Sequence, residues 1–317
     1  MTVYVEYRSI FNSMQKLQEE IVTRGLGVVF ACWALNLSFF GAALAEEFPA
    51  GDLESETVFY GAEKPLLGWK ELGGSGERAV DEDIVRSTEY VRSGRYSIQF
   101  TVGPDSYVAR GNRAELMYDS GAGPGGAETY SWSMLVPVDF EDVMRLKDAQ
   151  GRPNWQVVAQ WHHQPVFSEG ESWDDFSFKG YSVPLSLNYH YFNQGDPGLR
   201  GVAEVLESND VEGFNPDWDE QPALILYLGV PPVPVAMVPI EKGEWIDLQI
   251  DIRWSDTENG GVRARVNDKP FTDGWVSGRT MLNEASHYFK FGLYRNPSIL
   301  FTNSLFFDDI RITRRGD

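Results

Sequence analysis

The chain has 317 residues, 42% hydrophobic and 14% aromatic, enough apolar side chain for one large core, which excludes a disordered or fibrous protein. Its 47 acidic residues outnumber 27 basic ones, for a formal net charge of −20. Such a body repels phosphate, so nucleic acid is not expected as a partner, although a groove on it can still be locally basic.

Near the N-terminus Leu26 to Phe40 reads LGVVFACWALNLSFF, preceded by Lys16 and Arg24 and followed by the small-x-small run Ala43-Leu44-Ala45. Residues 1–45 are therefore predicted to be a secretory signal peptide, with Met14 as an alternative start. Cleavage is expected rather than retention as an anchor, because the apolar run is shorter than the about 20 residues a membrane span needs. The mature chain, residues 46–317, is then expected to be secreted or periplasmic, with no membrane association, as a monomer of one domain. The single cysteine, Cys32, lies inside the signal, so the mature chain has no disulfide and no thiol chemistry.

Residues 46–81 are loop-rich. From Tyr96 onward short alternating runs recur between turn residues, and helical periodicity is almost absent. Predicted strands cover 96–102, 114–118, 129–136, 155–162, 184–192, 223–230, 245–254, 261–266, 287–295 and 304–312. Ten or more strands with little helix indicate an all-β fold, a two-sheet β-sandwich of jelly-roll, concanavalin-like type with a concave substrate groove.

Alternation within these strands sorts chemical faces from oily ones. In HYFKFGLYR, His287 to Arg295, Tyr288, Lys290, Gly292 and Tyr294 share one face, and Phe289, Phe291 and Leu293 the other. Gln160 and His162 share a face in WQVVAQWH, as do Arg113 and Glu115 in GNRAELMY and Ser186, Asn188 and His190 in PLSLNYHYF. Arg113 with Glu115 also fits a structural ion pair, and His287 is expected to be solvated. The acidic run from Glu204 to Glu220 reads as a solvated loop, with structural calcium as the minority reading.

Paired catalytic carboxylates are missing, so glycoside hydrolysis is disfavoured. No G-x-S-x-G elbow supports a serine triad, and adjacent His162 and His163 would face opposite sides of a strand, which weakens zinc. Groups of the Arg, Gln, His, Tyr and Lys kind suit β-elimination of a uronate polymer. That reaction needs donors for the charge growing on the sugar carboxylate, a base for the proton at carbon 5 and an acid for the leaving oxygen.

RAEL at 113–116, QWH at 160–162 and YFKFGLYR at 288–295, in this order, resemble the jelly-roll polysaccharide lyases, nearest the heparin lyase I and glucuronan lyase group and related to alginate lyases. The resemblance implies that Arg113 and Gln160 neutralise the substrate carboxylate and that His162 is the base or a neutralising partner. Tyr294 would be the acid, or both acid and base in a syn elimination. Lys290 would bind substrate, with Arg295, Asn188, His190 and Glu115 as further substrate contacts. No cofactor is required on this reading beyond possible structural calcium. The partner would be an anionic polysaccharide, glucuronan-like before alginate, because Arg295 departs from the alginate lyase pattern. A non-catalytic carbohydrate-binding module or lectin is the alternative.

Overall fold

The structure, a computed structural model, describes residues 55–60, 69–73, 83–108, 111–119, 121–144, 154–172, 183–193 and 220–315. The predicted signal peptide and the acidic run 204–219 lie outside the described residues. The strands are β1 (Ser55–Tyr60), β2 (Trp69–Gly73), β3 (Ile84–Ser87), β4 (Ser97–Val102), β5 (Tyr107–Val108), β6 (Gly111–Asp119), β7 (Ala127–Leu135), β8 (Gln156–His162) and β9 (Leu185–Asn193). They continue as β10 (Glu220–Leu228), β11 (Val233–Pro239), β12 (Trp245–Arg253), β13 (Gly261–Val266), β14 (Lys269–Pro270), β15 (Val276–Ser277), β16 (Tyr288–Arg295) and β17 (Asn303–Arg315).

Two antiparallel sheets face each other. The first runs β14-β13-β12-β7-β17-β4-β3, with β1 on β17 and β15 on β13; the second runs β11-β10-β9-β8-β16-β6-β2, with β5 on β6. Consecutive strands pair toward the edges, while β7-β17-β4 and β8-β16-β6 join strands distant in sequence, as in a jelly roll, and the all-β sandwich expected from the alternating runs is what the chain forms. In β12 the alternation Ile246, Leu248, Ile250 buries one face, while Asp247 and Gln249 stay part-exposed.

The core between the sheets is aromatic where it backs β16. Phe289 packs on Trp161 of β8 at 5.0 Å and reaches across to Trp132 of β7 at 5.8 Å, while Phe291 meets Phe100 of β4 edge-on at 5.5 Å. Each such ring contributes about 1.5–3 kcal/mol by burial, and pairs at these separations add a little more. This packing fixes the rotation of β16 and so decides that Tyr288 and Lys290 point outward.

One buried polar node interrupts the core. The Glu128 carboxylate accepts hydrogen bonds from the Tyr130 hydroxyl at 2.6 Å and the Trp254 indole at 3.0 Å, with His287 Nε2 at 3.4 Å. His287 is fully buried and stacks on Trp254, so the expectation that it is solvated is wrong. Burial pushes the Glu128 carboxyl up, but the bonds from His287, Tyr130 and Trp254 outweigh it and hold the group below the ordinary carboxylate range. Asp308 and Asp309 sit at an irregularity inside β17, where Asp308 accepts the backbone N–H groups of Arg92 and Ser93 and Asp309 adopts a positive φ of 53°.

Candidate active site on the outer face of the second sheet

Strand register sets the site. On β16, Tyr288 pairs with His162 of β8 and Asp119 of β6, Lys290 with Gln160 and Met117, Gly292 with Glu115, and Tyr294 with Val157 and Arg113. On β9, Ser186 lies opposite Gln160. Directly opposed residues of antiparallel strands share a face, so Arg113, Glu115, Gln160, His162, Tyr288, Lys290 and Tyr294 all project from the side away from the core.

Gly292 makes the close approach of β6 and β16 possible. Its φ is +135°, and a Cβ there would lie 2.3 Å from the Ala114 carbonyl oxygen and 2.8 Å from Phe100. The register between β16 and β8 shifts across this position, between Phe291 and Tyr294, as a bulge requires.

Three predicted residues, Arg113, Gln160 and Lys290, are brought together around a fourth, Glu115. Its Oε1 accepts a hydrogen bond from Gln160 Nε2 at 2.5 Å, and Arg113 Nη1 lies 3.4 Å from Oε2. Arg113, Glu115, Gln160 and Lys290 are all below 8% exposed. The ion pair of Arg113 and Glu115 is real, and it belongs to the patch rather than standing apart from it. No described group accepts a hydrogen bond from Lys290 Nζ, which lies 5.1 Å from the Tyr288 ring centroid. Burial lowers the Lys290 ammonium to about 8, opposed by Glu115 and assisted by Arg113. Among the described residues of this patch two cations, Arg113 and Lys290, face one carboxylate, Glu115, on a chain of net charge −20.

The two histidines of QWHH separate as alternation requires. His163 is fully buried, and its Nε2 accepts backbone N–H groups from Leu282 at 2.6 Å and Asn283 at 2.9 Å. A ring nitrogen that accepts two donors must stay unprotonated, and burial holds His163 down to about 3, so it is a structural acceptor. His162 is part-exposed on the outer face, stacked on Tyr288, with Nδ1 2.7 Å from the His163 carbonyl oxygen and 2.9 Å from Tyr288 Oη. Burial, then the Lys290 charge, holds its imidazole well below the ordinary value, so His162 is neutral near pH 7.

Tyr294 occupies the other end of the face. The Arg113 guanidinium lies 3.9 Å above its ring and Trp155 meets it edge-on at 4.4 Å. Gly111 leaves the space its ring fills, since a Cβ there would be 2.4 Å from Tyr294 Cε2. Tyr294 lies six positions beyond Tyr288, its backbone roughly 18 Å further along the strand at about 3.3 Å per residue with the bulge taken into account.

Asn188 and His190 project from β9 on the same side; His190 is 6% exposed, and burial lowers it to about 4. They lie toward β10, where Ala223 and Ile225 face them in register. Arg295 is not on this face. It follows the parity of Phe289, Phe291 and Leu293, is fully buried, and donates from Nη2 to the carbonyl oxygens of Val102 (2.8 Å) and Phe301. Its expected role as a substrate contact is corrected by that placement. Among the described residues no group of three His, Cys, Asp or Glu side chains could hold a metal. A cleft of about 430 Å³ lies beside the strand ends that carry His162 and Tyr288, lined by Gln164 to Glu169, which follow β8, and Glu284 to Ser286, which precede β16. Tyr288 joins this face beside the predicted residues, and its strand parity with Lys290 is the signal for it in the sequence.

The polysaccharide lyase family model matches residues 65–311, which spans every site element. The chain belongs to the polysaccharide lyase family. No curated protein matches the lyase at a significant level. Among solved structures it is similar to an endo-β-1,4-glucuronan lyase from the fungus Trichoderma reesei, at 10% identity and a TM-score of 0.46 over 74% of this chain and 87% of that one. It is also similar to the family 7 alginate lyase A1-II′, at 12% identity and a TM-score of 0.47 over 80% and 94%. A β-glucanase catalytic domain from Podospora anserina gives 12% and 0.47 over 76% and 81%.

Proposed function

We propose that the lyase cleaves a uronate-containing polysaccharide, glucuronan-like in preference, by β-elimination, leaving an unsaturated sugar at the new end. The observation that carries the proposal is the recessed patch of Arg113, Glu115, Gln160 and Lys290, with two cations for one carboxylate on an otherwise acidic chain. A uronate carboxylate is the ligand such a patch attracts, and the sparse basic residues elsewhere disfavour a densely sulfated polymer.

Removal of the proton at carbon 5 delocalises charge into the sugar carboxylate. Arg113 and Lys290, held below 8% exposure, supply fixed donors where that charge develops, and one such donor is worth roughly 3–4 kcal/mol of barrier. Gln160 commits one of its two amide N–H donors to Glu115 and so steadies the patch, keeping a second N–H and its oxygen for another partner. His162 is neutral, and its Nδ1 lies against a carbonyl oxygen that can only accept; Nδ1 thus carries the hydrogen and Nε2 the lone pair of a base. Trp155 and Tyr294 form an aromatic wall for a neighbouring sugar. No cofactor takes part in this scheme. Export with removal of residues 1–45, to a secreted or periplasmic monomer, belongs to the same proposal.

Incubation with glucuronan, alginate and heparin separately, followed by the ultraviolet absorbance of the conjugated product, tests the function. Rising absorbance with glucuronan first is expected. Reducing ends without absorbance would replace elimination by hydrolysis, and binding without either would make the chain a carbohydrate-binding protein.

A further inference from the structure

The outer face continues past the last paired row of β8 and β16. Gln164 lies two positions after His162 and Ser286 two before Tyr288, so the register that pairs His162 with Tyr288 sets them opposite each other, and Gln164 Nε2 donates to Ser286 Oγ at 2.7 Å. This pair lies roughly 7 Å along the strands from the His162 row, at about 3.3 Å per residue. It lines the cleft of about 430 Å³, a volume within the range of small-ligand sites.

The walls of the cleft are tied in place by the chain itself. On one side His163 Nε2 accepts the N–H groups of Leu282 and Asn283, the Asn283 amide donates to the Gln164 carbonyl oxygen at 3.4 Å, and its Oδ1 accepts the Ala285 N–H at 3.0 Å. On the other, the turn Phe167–Glu169 is closed by the Glu169 and Gly170 N–H groups on the Val166 and Phe167 carbonyls, and the Glu171 carboxylate accepts the Val166 N–H at 3.0 Å. Phe167, 57% exposed, offers the cleft an apolar ring, and Glu169 and Glu284 offer it exposed carboxylates. None of the described residues that line it is basic. The neighbouring patch has the opposite balance, Arg113 and Lys290 against Glu115.

We infer that this cleft is a sugar subsite that selects against charge: it takes a pyranose by its hydroxyl edge and rejects one that carries sulfate or a second carboxylate on that edge. The inference rests on the elimination reading above, which seats one uronate carboxylate on the Arg113–Lys290 patch. Successive sugars of a β-1,4-linked chain are turned over relative to each other. With one carboxylate on the patch, the next sugar therefore presents its ring hydroxyls on that side and its own carboxylate to solvent. The hydroxyls donate to Glu169 and Glu284, whose carboxylates accept, and the Phe167 ring covers the apolar face of the sugar. Sulfate on those hydroxyls removes the donors and sets further negative charge beside two carboxylates. The patch selects for a uronate, and the cleft selects against substitution of its neighbour.

Kinetics on glucuronan and on the same polymer sulfated at its ring hydroxyls test the subsite. In the wild type kcat/KM should be at least about tenfold lower for the sulfated polymer, and Glu169→Gln combined with Glu284→Gln should raise the sulfated-to-unmodified ratio roughly tenfold by removing two charges beside the sulfate. Phe167→Ala should raise KM for glucuronan by roughly several-fold with kcat little changed, as loss of uniform binding does. A ratio in the double variant within about twofold of the wild type, or a wild type that cuts both polymers alike, would overturn the subsite while leaving the lyase reading intact. If no uronate polymer yields unsaturated product, the elimination reading falls. The same ratio, taken by calorimetry as affinities for the two uncleaved polymers, then decides the cleft: a rise in the double variant supports it and an unchanged ratio overturns it.

Discussion

Glu115→Gln perturbs the centre of the patch while keeping its shape. The Arg113–Glu115 pair at 3.4 Å carries on the order of 5 kcal/mol of gross attraction at an effective dielectric of about 20, most of it offset by desolvation. Loss of one charge from this buried pair costs about 3 kcal/mol, the lower end for a broken buried pair, because the new amide oxygen still accepts from Gln160. In a domain of this size that is a fall in Tm of roughly 6–12 °C. The sharper effect is on Lys290. Glu115 raises its ammonium toward the ordinary value while burial and Arg113 lower it to about 8, so removing the carboxylate moves it further down. Loss of the cation with rising pH then begins earlier, and the alkaline limb of kcat/KM should shift down by about one unit. The assay is initial rate of unsaturated product against pH, beside thermal melts of both proteins. An unmoved limb, or one that moves up, would refute the reasoning that Glu115 supports a catalytically required Lys290 cation.

In the wild type that limb should fall near pH 8. The groups facing Lys290 are Glu115 and Arg113 on β6, Gln160 and His162 on β8, and Tyr288 on its own strand, and the pH–rate profile checks the sign, with activity lost as pH rises. His162 is already neutral well below its ordinary value, so kcat/KM should show no acid limb near pH 6.5; a limb there would contradict its burial. Gly292→Ala should cost about 3 kcal/mol or more by backbone strain and overpacking, read as a lowered denaturant midpoint, since its Cβ meets the Ala114 carbonyl at 2.3 Å. Glu128→Ala removes the acceptor of Tyr130 and Trp254 and should lower Tm by roughly 6–12 °C without changing KM.

Period-two alternation was enough to sort Phe289 and Phe291 from Tyr288 and Lys290, and Trp161 from Gln160 and His162, because a strand buried on one face leaves its pattern in the sequence. The same parity, carried one residue further, places Arg295 with the core, and a functional-looking guanidinium after a tyrosine obscured it. The partnership of His162 with Tyr288 rather than Tyr294 was not legible, because the register between β8 and β16 is set by the Gly292 bulge and by packing of Phe289 on Trp161, which no local pattern encodes. The same parity carried back from Phe289 places His287 with the core as well, but its partners Glu128 and Trp254 lie far away in the chain and no local pattern names them.

Elimination at the Arg113–Lys290 patch fixes the outcome of digesting glucuronan in heavy-oxygen water. The products should carry no label from solvent, weigh one water less than hydrolysis products, and disappear in Lys290→Met. Label in the new reducing end, or full elimination by Lys290→Met, would contradict the account.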